Sequence, residues 1–96
     1  GLWREVGRGC RLQPGDWIKL SLRQGGERCQ PHGRQHSKSL KKLLQEAGIP
    51  VWQRGSIPLL WVNNQLAMVG NLWICKGFKV NFEEPGWNLQ VDSKLD

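Results

Sequence analysis

The sequence predicts an α+β domain, mainly β: a compact, antiparallel, sandwich-like set of strands with one principal amphipathic helix. Three observations carry this reading. Several short segments alternate apolar and polar residues, as half-buried strands do, and one stretch repeats its leucines at helical spacing. The chain has 96 residues. That suits a single domain with a thin core, burying about 60–65% of the surface its unfolded form exposes.

In WIKLSLR at 17–23, Ile18, Leu20 and Leu22 alternate with Trp17, Lys19, Ser21 and Arg23, the period-two pattern of a strand with one wet face. The loop GGERCQPHGRQHS at 25–37 has no apolar periodicity and is long for a compact domain, which marks it as functional or disordered. A helix follows. Ser37 or Ser39 is placed to cap it, Leu40, Leu43, Leu44 and Ala47 form one stripe, and Gly48 with Ile49-Pro50 ends it. IPLLWV at 57–62 and LAMVG at 66–70 flank Asn63-Asn64-Gln65, a polar turn whose asparagines tolerate positive φ, so the two read as a hairpin with a packed interior. LWIC at 72–75 reads as a further buried strand. GFKVNF at 77–82 (Phe78, Val80 and Phe82 on one face) and WNLQV at 87–91 (Trp87, Leu89 and Val91) repeat the alternation. GDW at 15–17 and EEPGW at 83–87 read as turns between strands.

The formal net charge is +6. Between 28 and 54, Arg28, Arg34, Lys38, Lys41, Lys42 and Arg54 face the single acid Glu46, so almost the whole excess sits on the loop and helix. A lysine-bearing helix face is commonly just solvated. Here the polar face lacks acidic partners at i+4, apart from Glu46 reaching back to Lys42, and the loop adds Arg28, Arg34 and His36 at the same end. A one-sided basic patch of this kind is the footprint of a polyanion-binding surface. The glycines at 25, 26 and 33 would let a sugar-phosphate backbone approach, and the arginines would supply bidentate contacts to phosphate or guanine.

Other chemistry has thin support. The GxxxxGK[ST] pattern of a P-loop is absent, there is no nucleophile with its base, and no paired carboxylates suggest a pocket. Cys10, Cys29 and Cys75 are odd in number and irregular in spacing, which favours reduced thiols over a disulfide framework. Cys29, His32 and His36 offer zinc three ligands as an alternative, without the second close pair a structural site usually has. Of the six tryptophans, Trp61, Trp73 and Trp87 lie in apolar strands and read as core. Trp52, just past the helix in PVWQR, reads first as a brace for the helix end and second as a face offered to RNA. The longest apolar run is far short of the roughly 20 residues of a membrane helix, and no leader pattern opens the chain, so a soluble, unsecreted protein is expected. With Gly1 at its start and Met68 as its only methionine, the sequence reads as a piece of a longer polypeptide.

GERCQPHGRQHSKSLKKLLQEAGIPVWQRGSIPLLWVNNQLAMVGNLWI resembles the C-terminal domain of bacterial tRNA(Ile)-lysidine synthetase. In that family a glycine-arginine loop leads into a Ser-Leu-Lys-Lys helix ending in Gln-Glu, then an Ile-Pro-x-Trp-x-Arg turn and a Pro-Leu-Leu strand. The resemblance runs from about Ile18 to Phe78 within a single domain, 1–96, and falls on Arg34, Ser37, Leu40, Lys41, Lys42, Gln45, Glu46, Pro50, Trp52, Arg54 and Pro58. It implies a fold similar to the tRNA-binding module of the phenylalanyl-tRNA synthetase β chain. It also implies a bacterial, cytoplasmic parent ligase that uses ATP and Mg to adenylate the wobble cytidine of tRNA(Ile) and attach lysine. The Ser-Gly-Gly-x-Asp-Ser loop of that family's N-terminal ATP site is absent here, so this chain is expected to hold no cofactor and to bind without turnover. The expected partners are the acceptor stem of tRNA(Ile) and the N-terminal catalytic domain of the same polypeptide, with no membrane. The expected RNA-binding residues are Arg28, Arg34, His36, Ser37, Lys38, Lys41, Lys42, Gln45, Trp52 and Arg54. The rival reading is an interaction domain whose basic face docks on an acidic protein surface.

Overall fold

Asn63 and Asn64 organise the centre of the fold. A computed structural model describes residues 2–89. Its elements in chain order are β1 (Leu2–Val6), β2 (Ile18–Ser21), β3 (Arg28–Cys29), β4 (Lys38–Ser39), α1 (Leu40–Glu46), α2 (Val51–Arg54), β5 (Leu59–Val62), β6 (Gln65–Val69), β7 (Trp73–Ile74) and β8 (Pro85–Leu89). Both asparagines take positive φ, 51° and 67°, as a tight two-residue hairpin turn requires. Asn63 also accepts from the Trp17 amide at 2.9 Å and donates to Asp16 at 3.0 Å, fixing the entry of β2 beside the hairpin. The result is a four-stranded antiparallel sheet in the order β2-β5-β6-β7, with a register irregularity between Leu60 and Trp61.

Neighbouring residues of β5 face opposite ways, and each face has its own core. Leu59, with Leu66 and Val69, packs on Leu40, Leu43 and Leu44 of α1 together with Cys29 and Cys75. Leu60, with Val62, Ala67 and Met68, packs on Cys10 and Leu89 and on the half-buried Leu2. The second layer is an antiparallel ribbon in which β1 pairs with β8, Leu2 opposite Leu89 and Val6 opposite Pro85. Two glycines allow that ribbon to close. A Cβ on Gly86 would collide with the Arg8 carbonyl, and one on Gly9, which also has φ of 104°, would meet the Trp87 carbonyl. Arg11 and Glu84 clamp the same region through two hydrogen bonds of 2.9 and 2.7 Å.

The antiparallel, mainly β architecture agrees with the sequence reading, and several details do not. Ile18, Leu20 and Leu22 are 45–53% exposed. Strand β2 lies at the sheet edge, where alternation specifies a strand but supplies no layer to cover it. GFKVNF is not a strand: only Lys79 forms a bridge, with Cys10, and the chain turns at 81–84, leaving Phe82 at the tip. In LWIC, Trp73 and Ile74 form β7 half-buried, Cys75 is buried and Leu72 is exposed. EEPGW is no simple turn, since Pro85 to Trp87 belong to β8; Val91 lies outside the described residues. Ala47 is exposed because the chain leaves the helix there. The short helix α2 and the strand β1 were not expected. Nor is 25–37 structureless, as the next section describes. Trp61, Trp73 and Trp87 are half-buried rather than core; Trp61 donates to Ser21 at 2.9 Å, and Lys19 stacks over its ring.

Candidate nucleic-acid interface

The basic loop is held at both ends. Arg28 and Cys29 pair with Ser39 and Lys38, and the Arg28 guanidinium donates to the Ser37 carbonyl at 3.0 Å, closing the hairpin on itself. Pro31 bridges to Cys75, the His32 amide donates to the Ile74 carbonyl at 2.7 Å, and the Lys76 amide donates to the Gln30 carbonyl at 2.7 Å. These bonds staple the loop to β7. Between the anchors a turn forms, with Arg34 N–H donating to the Pro31 carbonyl at 3.0 Å and the Gln30 side-chain Nε2 donating to the Arg34 carbonyl at 2.9 Å. Residues 32–37 project from it, all exposed.

The loop feeds directly into α1. Of the two serines, Ser39 is the cap: its backbone is extended (φ −63°, ψ 147°), and its hydroxyl accepts from the Lys42 amide at 3.2 Å. Leu40 N–H is satisfied by the Glu27 carbonyl at 2.9 Å. At the far end Gly48 takes φ of 73°, and the Ile49 amide closes back on Leu44. With Leu40, Leu43 and Leu44 about 1% exposed, the opposite face must carry Lys41, Lys42 and Gln45 outward. These three, with Ser39 and Glu46, line a shallow hollow of about 520 Å³.

Glu46 sets the electrostatics of this face. It pairs with Lys38, at 2.9 and 3.1 Å, and not with Lys42 as the helical spacing predicted. Its pKa is lowered chiefly by that hydrogen bond, with the charges of Lys38, Lys42 and Arg34 acting the same way. Lys38 thus has an acidic partner in a half-exposed ion pair. Arg34, Lys41 and Lys42 have no carboxylate partner within ion-pair distance among the described residues.

The remaining expected residues divide by environment. His36 and Ser37 are exposed at the end of the loop. Arg54 is half-buried and donates from Nε to the Ile49 carbonyl at 2.7 Å, so one edge of its guanidinium fixes the passage from α1 to α2. Trp52 does not brace the helix end: it is 82% exposed, beside a Val51 that is 71% exposed. Cys29 points into the core, away from the exposed His32 and His36, so the structure does not assemble these three as zinc ligands. Among the described residues no three His, Cys, Asp or Glu side chains gather as metal ligands. The Sγ atoms of Cys29 and Cys75 lie 2.6 Å apart. The close approach of the two thiols, together with burial, pushes the Cys75 pKa up, and burial pushes Cys10 up to about 12.

A second group of bases went unrecognised in the sequence. Arg8 and Lys79 stand far from the 28–54 run, yet the fold brings both to a cleft that Arg34 also lines. No local spacing signals such a group, because it exists only once β1, β8 and the loop have met.

A family model described as the TilS substrate C-terminal domain matches residues 18–91. The chain belongs to this family. The match reaches beyond the 18–78 stretch that carried the resemblance and takes in β8 of this TilS C-terminal domain. Related proteins, each named tRNA(Ile)-lysidine synthase, include one from Coxiella burnetii, 50% identical over 77% of this chain and 16% of its own length. One from Yersinia pseudotuberculosis is 43% identical over 66% of this chain and 14% of its own length. One from Shewanella woodyi is 37% identical over 76% of this chain and 16% of its own length. The TilS C-terminal domain thus spans about a sixth of the relatives it matches.

Proposed function

We propose that this chain is the tRNA-binding module of a tRNA(Ile)-lysidine synthase, holding the acceptor-stem region while a separate N-terminal domain converts the wobble cytidine to lysidine. The observation that carries the reading is the grouping of Arg34, Lys41 and Lys42 about α1, with no carboxylate at ion-pair distance among the described residues, on a helix and a stapled loop. A-form RNA presents phosphates and a wide minor groove rather than a readable major groove, so lysines on a rigid helix act by position. Any discrimination between stems falls to Arg34 and its neighbours in the loop, where a guanidinium can meet a base edge in two bonds. Catalysis, ATP and Mg belong in this reading to the other domain, in the bacterial cytoplasm; this chain contributes affinity and orientation. No helix among the described residues is long and apolar enough to cross a membrane.

Each cation that neutralises a phosphate releases counterions and adds roughly 0.7 to 0.9 to the slope of log affinity against log salt. Replacing Lys41 and Lys42 together by alanine should weaken tRNA binding and flatten that slope by about 1 to 2 units, with the fold unchanged. Wild-type affinity with wild-type salt dependence would instead favour the docking of this face on an acidic protein surface.

A further inference from the structure

Beside the 31–34 turn lies a cleft of about 430 Å³, bounded by that turn, by β7, and by the β1–β8 ribbon. Its size falls within the range of small-molecule sites, roughly 300 to 1,000 Å³. Its lining combines three cations, Arg8, Arg34 and Lys79, with two indoles, Trp3 and Trp73, and the exposed amide of Asn71; among the described residues no carboxylate lines it. Among the described residues Arg8 meets an acid only distantly, Glu5 at 3.9 Å, and its side chain is 75% exposed. Trp3 is 44% exposed although it stands on a strand, so part of its ring remains available for stacking.

Cations beside indoles, with a neutral amide able both to donate and to accept, match the chemistry of one nucleotide: phosphate, base face and base edge. Arg34 connects this cleft to the helix, since it lines the cleft and its charge also acts on Glu46 of α1. A polyanion lying along the helix is thereby led to the cleft mouth. A paired base is locked in its stack and cannot enter a hollow of this kind, whereas an unpaired one can.

We propose that this cleft receives a single unpaired nucleotide of the bound RNA, its base against the exposed Trp3 and its phosphate facing Arg8, Arg34 and Lys79. The inference rests on the RNA-binding reading and adds a second site to it. The nucleotide can come from a single-stranded end or from a bulge, and the two sources share the same chemistry.

The test compares the affinity of the chain for three RNAs that share one stem: a blunt duplex, the duplex with a short single-stranded 3′ extension, and the duplex with a one-nucleotide bulge. At least one unpaired form should bind roughly tenfold more tightly than the blunt duplex, the scale of stacking one base on an aromatic side chain. Trp3→Ala and Arg8→Ala should each erase that gain and leave blunt-duplex binding as it was. Arg8 is exposed enough that its replacement does not threaten the fold. Lys41→Ala with Lys42→Ala should weaken all three RNAs while preserving the ratio. Equal wild-type affinity for the three RNAs, or a gain that survives both cleft variants, would overturn the cleft and leave the helix reading intact. Binding of the unpaired forms that is indifferent to Lys41 and Lys42 would do the reverse. No binding to any of the three would overturn both.

Discussion

At Glu46 one carboxylate determines which lysines remain to meet a ligand. Helical spacing pointed it toward Lys42, but the better partner is Lys38, which stands in β4 where no periodicity of the helix could place it. Exposure at Trp52 was equally unreadable: an indole between proline and arginine fits a buried brace and a bare surface alike, and only the fold left it uncovered. Arg11 and Glu84 are a further pairing invisible in the sequence, 73 residues apart and joined by two hydrogen bonds. Those bonds, aided by the Asn81 amide, take the Glu84 pKa from 4.5 down to about 2. A carboxylate depressed on folding stabilises the native state above its unfolded pKa and loses that contribution as pH falls through the folded value. The pair should therefore act fully above pH about 4.5 and fade toward pH about 2. In an Arg11→Gln variant the Glu84 titration, followed by NMR, should move back up toward 4.5, and the unfolding midpoint should lose part of its acid dependence. A Glu84 titration that stays near 2 in that variant would assign the shift to another cause.

At the scale of elements, legibility followed local chemistry. Helix α1 and the β5–β6 hairpin came out of the sequence nearly whole, because capping serine, leucine spacing, terminal glycine and paired asparagines each act within a few residues. GFKVNF failed for the converse reason: its alternation is genuine at Phe78 and Val80, but Glu84 accepts from the Asn81 amide and bends the segment before a ladder can extend. The helix face can be checked directly. Leu44 is about 1% exposed among Leu40, Leu59 and Val69, so Leu44→Ala should cost roughly 2 to 5 kcal/mol in denaturant unfolding. Lys41→Ala, on the opposite face, should stay within about 0.5 kcal/mol. Comparable losses at the two positions would mean that the helix is rotated from the orientation described.

Across the whole molecule, sequence patterning conveyed the class of fold and the helix-side core but not the second layer. The ribbon of β1 with β8 pairs residues about 80 positions apart, and neither strand carries a signal naming its partner. The cleft depends on that ribbon, which is why its basic residues stayed hidden while those of α1 were evident. The same long-range pairing orders events in time. Closing a loop costs entropy that grows as the logarithm of its length, so contacts within β5–β6 and between α1 and the sheet can form early, and the ribbon closes after them. Leu59→Ala, in the hairpin and against α1, should accordingly slow refolding, whereas Leu89→Ala in β8 should leave refolding nearly unchanged and speed unfolding, as chevron analysis would resolve. The reverse pattern would place the ribbon in the folding nucleus. With the ribbon last on and first off, the cleft is the most transient part of the binding surface. The lysine face of α1, on the earlier-forming core, would outlive it, and a ligand seated between β7 and the β1–β8 ribbon would act as a kinetic latch on the domain's own opening.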